Sequence, residues 1–156
     1  MSNYENSTSN GLKSKPIRDS LSVALDAIND RWSLHIVRAL AFGASRYTEI
    51  LRAVGAPRDV LASRLKKLTE SDIVHARSTD DGGTAGYELT QKGRDLAQVI
   101  LVLKRWGDTY RDDDVPLVEF IHEVCGNVFI AEVHCQACGN PIKSGEFTIV
   151  QAPESC

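Results

Sequence analysis

The chain is poor in several features that would place it in other classes of protein. No apolar run approaches the roughly 20 residues that span a bilayer. The polar start, residues 1–10, lacks the charged and then apolar layout of a signal peptide. We therefore expect a cytoplasmic protein with no membrane partner. The 156 residues suffice for one core and one small appended module, which excludes two large domains.

Cysteine is missing from the first 124 residues, and all four cysteines lie in the last 32. In a chain expected to be cytoplasmic, thiols clustered in this way are more often metal ligands or redox groups than structural disulfides. A phosphate-cradling loop is also missing, because Gly82, Gly83 and Gly86 do not precede a helix. The sequence therefore contains no nucleotide-binding loop on which to base an enzyme.

The charges are divided along the chain. The formal net charge of −3 alone would argue against a nucleic-acid binder, because phosphate contacts need a basic surface. However, residues 1–107 carry 16 Lys and Arg against 12 Asp and Glu, a net +4, whereas residues 108–156 carry 2 against 9, a net −7. The first part can face a polyanion, and the acidic tail would be repelled by one.

Apolar residues recur at helical spacing after a Ser- and Asn-rich start, residues 1–16, which we predict to be a flexible arm. The inward residues of the first two helices are Leu21, Leu25 and Ile28, and then Leu34, Val37 and Leu40, with Asp30 as the expected N-cap of the second. A third helix is expected over residues 47–54. A fourth runs from Pro57 to Glu70 with a narrow buried stripe of Leu61, Leu65 and Leu68.

Two strands are expected next, over residues 73–77 and 87–89, joined by a tip with three glycines. Thr90 caps a last long helix, whose apolar stripe is Leu96, Val99, Ile100, Leu103 and Trp106. Helices followed by a glycine-tipped hairpin are typical of a winged helix-turn-helix, a mainly helical α+β fold. We place this domain at residues 17–111 and a small Cys/His tail at residues 112–156.

The fourth helix is predicted to read DNA, because its outward face carries polar and basic side chains. Its first turns offer Arg58, Asp59 and Ser63 to base edges, while Lys66 and Lys67 lie nearer the phosphates. Charge alone would equally fit an ordinary solvated helix face. Further backbone contacts are expected from residues that precede the third helix or lie at the base of the wing: Ser45, Arg46, Tyr47 and Arg77.

Two parts of this DNA surface are less simple. Arg64 projects beside the apolar stripe, so it could reach a phosphate or lock the fourth helix against a neighbour. The wing tip carries Asp80 and Asp81, which would repel phosphates, and we therefore do not place a contact there.

Several segments, in order, resemble the HxlR-type winged-helix regulators. They are residues 24–34 (ALDAINDRWSL), 46–50 (RYTEI), 60–68 (VLASRLKKL), 87–93 (YELTQKG) and 105–108 (RWGD). The resemblance covers roughly residues 18–111, and the ordered series is more specific than any one motif.

The resemblance implies a transcription regulator, not an enzyme. It also implies a homodimer whose terminal helices pair and place two recognition helices about 34 Å apart on a pseudo-palindromic operator. Val99, Leu103 and Trp106 would then lie partly at the interface, although spacing alone fits an intramolecular core equally well. Some family members sense oxidants with a cysteine just before the first helix, but residues 19–22 contain none here. The resemblance does not identify an effector, which could be a small molecule or a redox signal.

The tail contains two similar knuckles, residues 122–126 (HEVCG) and 135–139 (CQACG). Two residues between ligands let a tight turn direct both toward one metal, and the glycine relieves the backbone. His122, Cys125, Cys135 and Cys138 are therefore predicted to bind a structural Zn²⁺, as in a zinc ribbon. His134 is a rival fourth ligand, although its position beside Cys135 would strain simultaneous binding. The terminal Cys156 is not expected to be a ligand.

Two other functions are consistent with the tail. The acidic Cys/His segment could carry a protein-interaction activity while the winged helix only dimerises. A thiol redox function of Cys135 and Cys138 agrees less well with the sequence, because redox pairs of this spacing are expected in a βαβ unit and none surrounds this pair. Without zinc, the same pair would be reduced or form a disulfide.

Overall fold

A computed structural model describes residues 19–78, 83–112 and 118–148. Five helices and four strands lie in these ranges: α1 (Ser20–Ala27), α2 (Arg31–Ala41), α3 (Tyr47–Val54), α4 (Arg58–Glu70), β1 (Val74–Ser78), β2 (Thr84–Leu89), α5 (Gln91–Thr109), β3 (Phe120–His122) and β4 (Asn127–Phe129). None of these helices is both long and apolar enough to cross a membrane. The predicted arm, the acidic wing tip and Cys156 lie outside the described residues.

Side-chain caps define where the helices begin. The Asp19 carboxylate accepts from the Ser22 amide at 2.8 Å and opens α1. Asp30 accepts from the amides of Trp32 and Ser33 at the start of α2, and the Thr90 hydroxyl accepts from the Gly93 amide at the start of α5. Gly55, with φ 69°, ends α3 in the left-handed conformation that glycine tolerates best. The predicted helix starts at Asp30 and Thr90 are thus confirmed.

The core lies between α2, α3, α4 and the start of β1. Its fully buried side chains include Ile36, Val37, Ile50, Leu61, Leu65, Leu68 and Ile73. The narrow stripe predicted for α4 is confirmed. The prediction for α2 is wrong in one respect: Leu34 is only half-buried, because the face centred on Ser33, Ile36 and Val37 points inward.

The wing is an antiparallel pair in which Val74 faces Leu89 and Arg77 faces Gly86, with a register shift between Arg77 and Ser78. Helix α5 begins directly against it. A Cβ added to Gly93 would lie 2.2 Å from the carbonyl oxygen of Ile73, so only glycine fits this contact. The winged helix-turn-helix predicted from the sequence is therefore confirmed.

The tail contains the antiparallel pair β3–β4, with Phe120 opposite Phe129, and an isolated bridge between His134 and Pro141. It lies against α5. The Arg105 guanidinium is 3.0 Å from the Glu132 carboxylate and donates to the Ala131 carbonyl, while the Phe120 ring packs on Phe42.

Candidate nucleic-acid interface

The outward face of α4 presents the predicted reading residues to solvent. Arg58, Asp59, Ser63, Lys66 and Lys67 are all exposed, and the last four lie on the side opposite the buried leucines of the same helix. The Lys66 ammonium lies 3.8 Å from the Glu70 carboxylate, but both side chains are more than half exposed, so this ion pair is weak. The face therefore keeps its lysines available for phosphates.

The start of α3 is tied to the start of α4. The Tyr47 hydroxyl donates to the Arg58 carbonyl at 2.8 Å, which joins two segments predicted to touch DNA. Ser45 and Arg46 precede Tyr47 on the same turn, and the Arg46 side chain is exposed. Three predicted contact residues are thus brought to the N-terminal end of the reading helix.

Glu49 organises this turn, although it was not among the residues predicted from the sequence. Its carboxylate accepts from the amides of Ser45 and Arg46 at 2.9 and 3.0 Å. These amide hydrogen bonds, with the Arg46 bond the larger effect, lower the pKa of Glu49. Glu49 stands at the third position of the helix predicted to start at residue 47, which is the Glu half of the capping-box signal, but Arg46 is not the Ser or Thr with which that signal begins.

The base of the wing is held against the same turn. The Tyr87 amide donates to the Ser45 carbonyl at 2.8 Å, and a Cβ at Gly86 would lie 3.0 Å from that oxygen. Arg77, paired with Gly86 across the wing, is half exposed, and its Nε lies 4.0 Å from Glu88. The structure thus places Arg77 beside Ser45, and it leaves the guanidinium weakly held.

Arg64 differs from the other predicted contacts because it faces inward. Its Nε lies 3.3 Å from a carboxylate oxygen of Asp30, and the two side chains are 25% and 16% exposed. The Nε atom is fully buried and not aligned for a hydrogen bond, so the contact is an ion pair only. Of the two roles considered for Arg64, this geometry favours locking α4 against the start of α2.

Asp30 is the acidic partner in this lock. Burial raises the pKa of Asp30, but hydrogen bonds from Ser33 and the Arg64 charge outweigh burial, and the pKa is lowered overall. One carboxylate therefore caps α2 and also anchors α4.

The two Cys/His knuckles of the tail fold into similar turns. The Gly126 amide donates to the His122 carbonyl and the Gly139 amide to the Cys135 carbonyl, both at 2.8 Å. Both glycines have φ near 70°, at 70° and 74°. The predicted role of the glycine in each turn is thus consistent with the structure.

The predicted ligands are gathered only in pairs. Cys125 Sγ lies 3.4 Å from His122 Nδ1, and Cys135 shares its turn with Cys138. Hydrogen bonding from Asn127 lowers the pKa of Cys125, and backbone amides at residues 138 and 137 lower that of Cys135. Within the described ranges, no three His, Cys, Asp or Glu side chains lie close enough to hold one metal ion.

The structure distinguishes the two candidate histidine ligands. His134 Nδ1 is 2.9 Å from the Gly139 carbonyl, and its Nε2 is 3.6 Å from the Glu132 carboxylate. Both ring nitrogens of His134 therefore have neighbours that are not predicted ligands, whereas Nδ1 of His122 lies next to a predicted ligand, Cys125.

A long apolar face is left uncovered on α5. Val99, Leu103 and Trp106 are 57%, 48% and 63% exposed, while Leu96 and Ile100 pack against the core. The intramolecular core considered for the first three residues is therefore absent from the described chain. The prediction that Leu21 and Leu25 point inward from α1 is wrong, because α1 buries none of its side chains in the described chain; both are exposed, as is Val23.

A reading helix with exposed basic side chains, a preceding helix tied to it and a wing at its base define a DNA-binding protein of the winged helix-turn-helix class. Residues 27–115 match the HxlR-like helix-turn-helix family. The chain belongs to this family.

Named relatives agree with this assignment. The HTH-type transcriptional regulator Rv3095 of Mycobacterium tuberculosis is 34% identical over 137 residues, which cover 86% of this chain and 87% of the relative. YdeP of Bacillus subtilis, also named an HTH-type transcriptional regulator, is 28% identical to this chain. The match covers 59% of this chain and 73% of YdeP. The protein is a DNA-binding transcriptional regulator, not an enzyme.

Two solved structures match this chain over different lengths. PA1607 has a TM-score of 0.77 at 27% identity and covers 88% of this chain and 97% of its own. The redox regulator HypR in its reduced form has a TM-score of 0.53 at 27% identity, covering 60% of this chain and 95% of its own. The match to Rv3095 is longer than the 111 residues that precede the tail, so the resemblance to that relative extends into the tail.

Proposed function

We propose that the regulator binds a pseudo-palindromic operator as a homodimer, with each α4 in a major groove. The observation that carries the proposal is the exposed polar and basic face of α4, held beside the Ser45 turn and the base of the wing. Arg58, Asp59 and Ser63 lie in the first two turns, where a reading helix meets base edges.

The remaining contacts would set the position on DNA. Lys66 and Lys67 lie further along α4 and would meet phosphates, together with Arg46 at the start of α3 and Arg77 on the wing. Such contacts supply affinity but carry little sequence information. Arg64 is left out of this set because Asp30 already holds it.

The exposed apolar faces of α1 and α5 support the homodimer. Covering Val99, Leu103 and Trp106 with a second copy would remove apolar surface from water. In a dimer the two reading helices would reach half-sites one helical turn apart, about 34 Å.

Selection of genomic fragments by the purified protein tests operator binding. We expect enrichment of a discrete site with inverted half-sites. Lys66→Ala and Lys67→Ala should weaken binding to every sequence and reduce the salt slope by about 0.9 for each phosphate that is no longer neutralised. Lys143→Ala is the matched control, since it removes an exposed lysine from the tail.

Two results would contradict the proposal. An unchanged affinity and salt slope in the α4 variants would exclude those lysines as phosphate contacts. If no discrete site is enriched at any salt concentration, the activity belongs to the alternative function, protein interaction through the acidic tail.

A structural zinc ion in the tail is a second proposal. It is supported by the matching turns of the two knuckles and by the lowered thiol pKa values, which favour the thiolate that metals bind. Binding by His122, Cys125, Cys135 and Cys138 together requires the two pairs to come closer than they lie here.

Elemental analysis of protein purified without added metal tests this proposal. We expect about one zinc per chain, absent from His122→Ala and retained in His134→Ala. Zinc retained without His122 but absent without His134 would reverse the assignment. Zinc-free protein with two oxidised thiols would instead indicate a disulfide.

A further inference from the structure

A half-open groove of about 430 Å³ lies between the C-terminal half of α5 and the β3–β4 hairpin. This volume is within the range of roughly 300–1,000 Å³ that holds small organic ligands in proteins. The groove is formed jointly by the helix that carries the exposed apolar face and by the tail. Its occupant could therefore change how these two parts sit together.

The apolar part of the groove lining is partly aromatic. It is formed by Leu101, Val118, Phe120, Val128, Phe129 and Ile130. The rings of Phe120 and Phe129 lie 6.1 Å apart, centroid to centroid, and are inclined by 31°. The Lys104 ammonium lies 5.3 Å from the Phe120 centroid, so this aromatic surface already accepts a cation.

The charges around the groove leave an acidic excess. Lys104 is paired with Asp108, and Arg105 is paired with Glu132 at 3.0 Å. Glu119 also lines the groove, is exposed, and has no ion-pair partner among the described residues. The unpaired charge at this apolar groove is therefore negative. Asp108, Glu119 and Glu132 all belong to the chain from residue 108 onward, whose net charge of −7 makes the potential there negative.

We propose that this groove binds a lipophilic organic cation, with its apolar body on the Phe120 and Phe129 side and its positive charge facing Glu119. Apolar area supplies the binding, and the carboxylate selects for positive charge over negative charge. An organic anion of the same shape would face an unpaired carboxylate and find both basic groups already paired.

The ligand would act as an effector of DNA binding, and this step rests on the proposed function. It would touch Leu101, Arg105 and Thr109 on the helix proposed to form the dimer. A shift of α5 against its partner would change the separation of the two reading helices, and the operator fixes that separation.

Tetraphenylphosphonium and tetraphenylborate, ions of the same shape and opposite charge, provide a direct test by isothermal titration calorimetry on the full chain. We expect the phosphonium to bind at one site per chain and the borate to bind far more weakly. Glu119→Gln should weaken phosphonium binding by about 1.5- to fivefold, as expected for removal of one exposed charge partner. Glu123→Gln, an exposed tail carboxylate outside the groove, should leave it unchanged.

Equal binding of the two ions, or equal effects of the two variants, would overturn the site. Phosphonium binding only after dilution to monomer would also overturn it, because the groove would then be closed by a second copy. In a second arm, phosphonium is added to the protein–operator complex. Binding of phosphonium with unchanged operator affinity refutes the effector role. A protein that binds phosphonium but no DNA refutes the proposed function and leaves the site intact.

Discussion

Replacing Asp30 with Asn isolates the charge that holds α4 against the start of α2. Asn is a good N-cap, so the α2 cap is largely kept while Arg64 loses its ion pair. Exposed ion pairs contribute about 0.2–1 kcal/mol, and breaking a fully buried pair costs about 3–5 kcal/mol. With side chains 25% and 16% exposed, this pair lies between these limits. We expect Asp30→Asn to lower the free energy of unfolding by about 1–3 kcal/mol.

A double-mutant cycle measures the pair itself. Arg64→Met removes the cation, and the double variant removes both charges, so no buried guanidinium is left unpaired. We expect a coupling free energy of about 1 kcal/mol from urea unfolding followed by circular dichroism. Lys66→Met, which breaks an exposed pair with Glu70, should cost less than about 0.5 kcal/mol. A coupling energy indistinguishable from zero would refute the lock between α2 and α4.

The same pair predicts a pH dependence. The pKa of Asp30 is lower in the folded chain, so its contribution is complete above its ordinary pKa and disappears as the pH falls through the folded value. Wild type and Asp30→Asn should therefore converge in stability below about pH 4. If the difference in the free energy of unfolding between wild type and Asp30→Asn stays constant through this pH range, the charge of Asp30 is not the cause of that difference. Folded Arg64→Met should also keep the DNA salt slope of the wild type, since Arg64 is not expected to contact a phosphate.

The other expected outcomes concern α5. Trp106→Glu should convert the proposed dimer to monomer in sedimentation equilibrium without loss of helical circular dichroism, because this side chain is 63% exposed in the single chain; an unchanged dimer would place the interface elsewhere. Gly93→Ala should destabilise the fold by about 3 kcal/mol, because its Cβ would lie 2.2 Å from the Ile73 carbonyl oxygen. Gly107→Ala, in the same helix with no atom within 4 Å of the added Cβ, should stabilise by up to about 1 kcal/mol. Equal effects of the two glycine substitutions would contradict the close approach at Gly93.

Local patterns in the sequence were sufficient to predict the winged-helix fold. The spacing of Leu61, Leu65 and Leu68 predicted the buried face of α4, and Asp30 and Thr90 marked helix starts, because both signals depend on residues within a few positions of each other. The same periodicity defined the outward face of α4. It could not locate the edge of the wider buried face of α2, where Ile36 rather than Leu34 is enclosed.

Only the tertiary structure decided the contacts between distant segments. The sequence placed Arg64 at the edge of a buried stripe, but its partner Asp30 is 34 positions away and identifiable only once α2 and α4 are packed. Likewise, periodicity gave Val99 and Trp106 an apolar face without saying whether this chain covers it, and the fold leaves both exposed. The groove between α5 and the tail has no sequence signature at all, because its walls come from two separate segments that meet through contacts such as Arg105 with Glu132. Sequence determines which faces are apolar or charged, and packing determines what meets them.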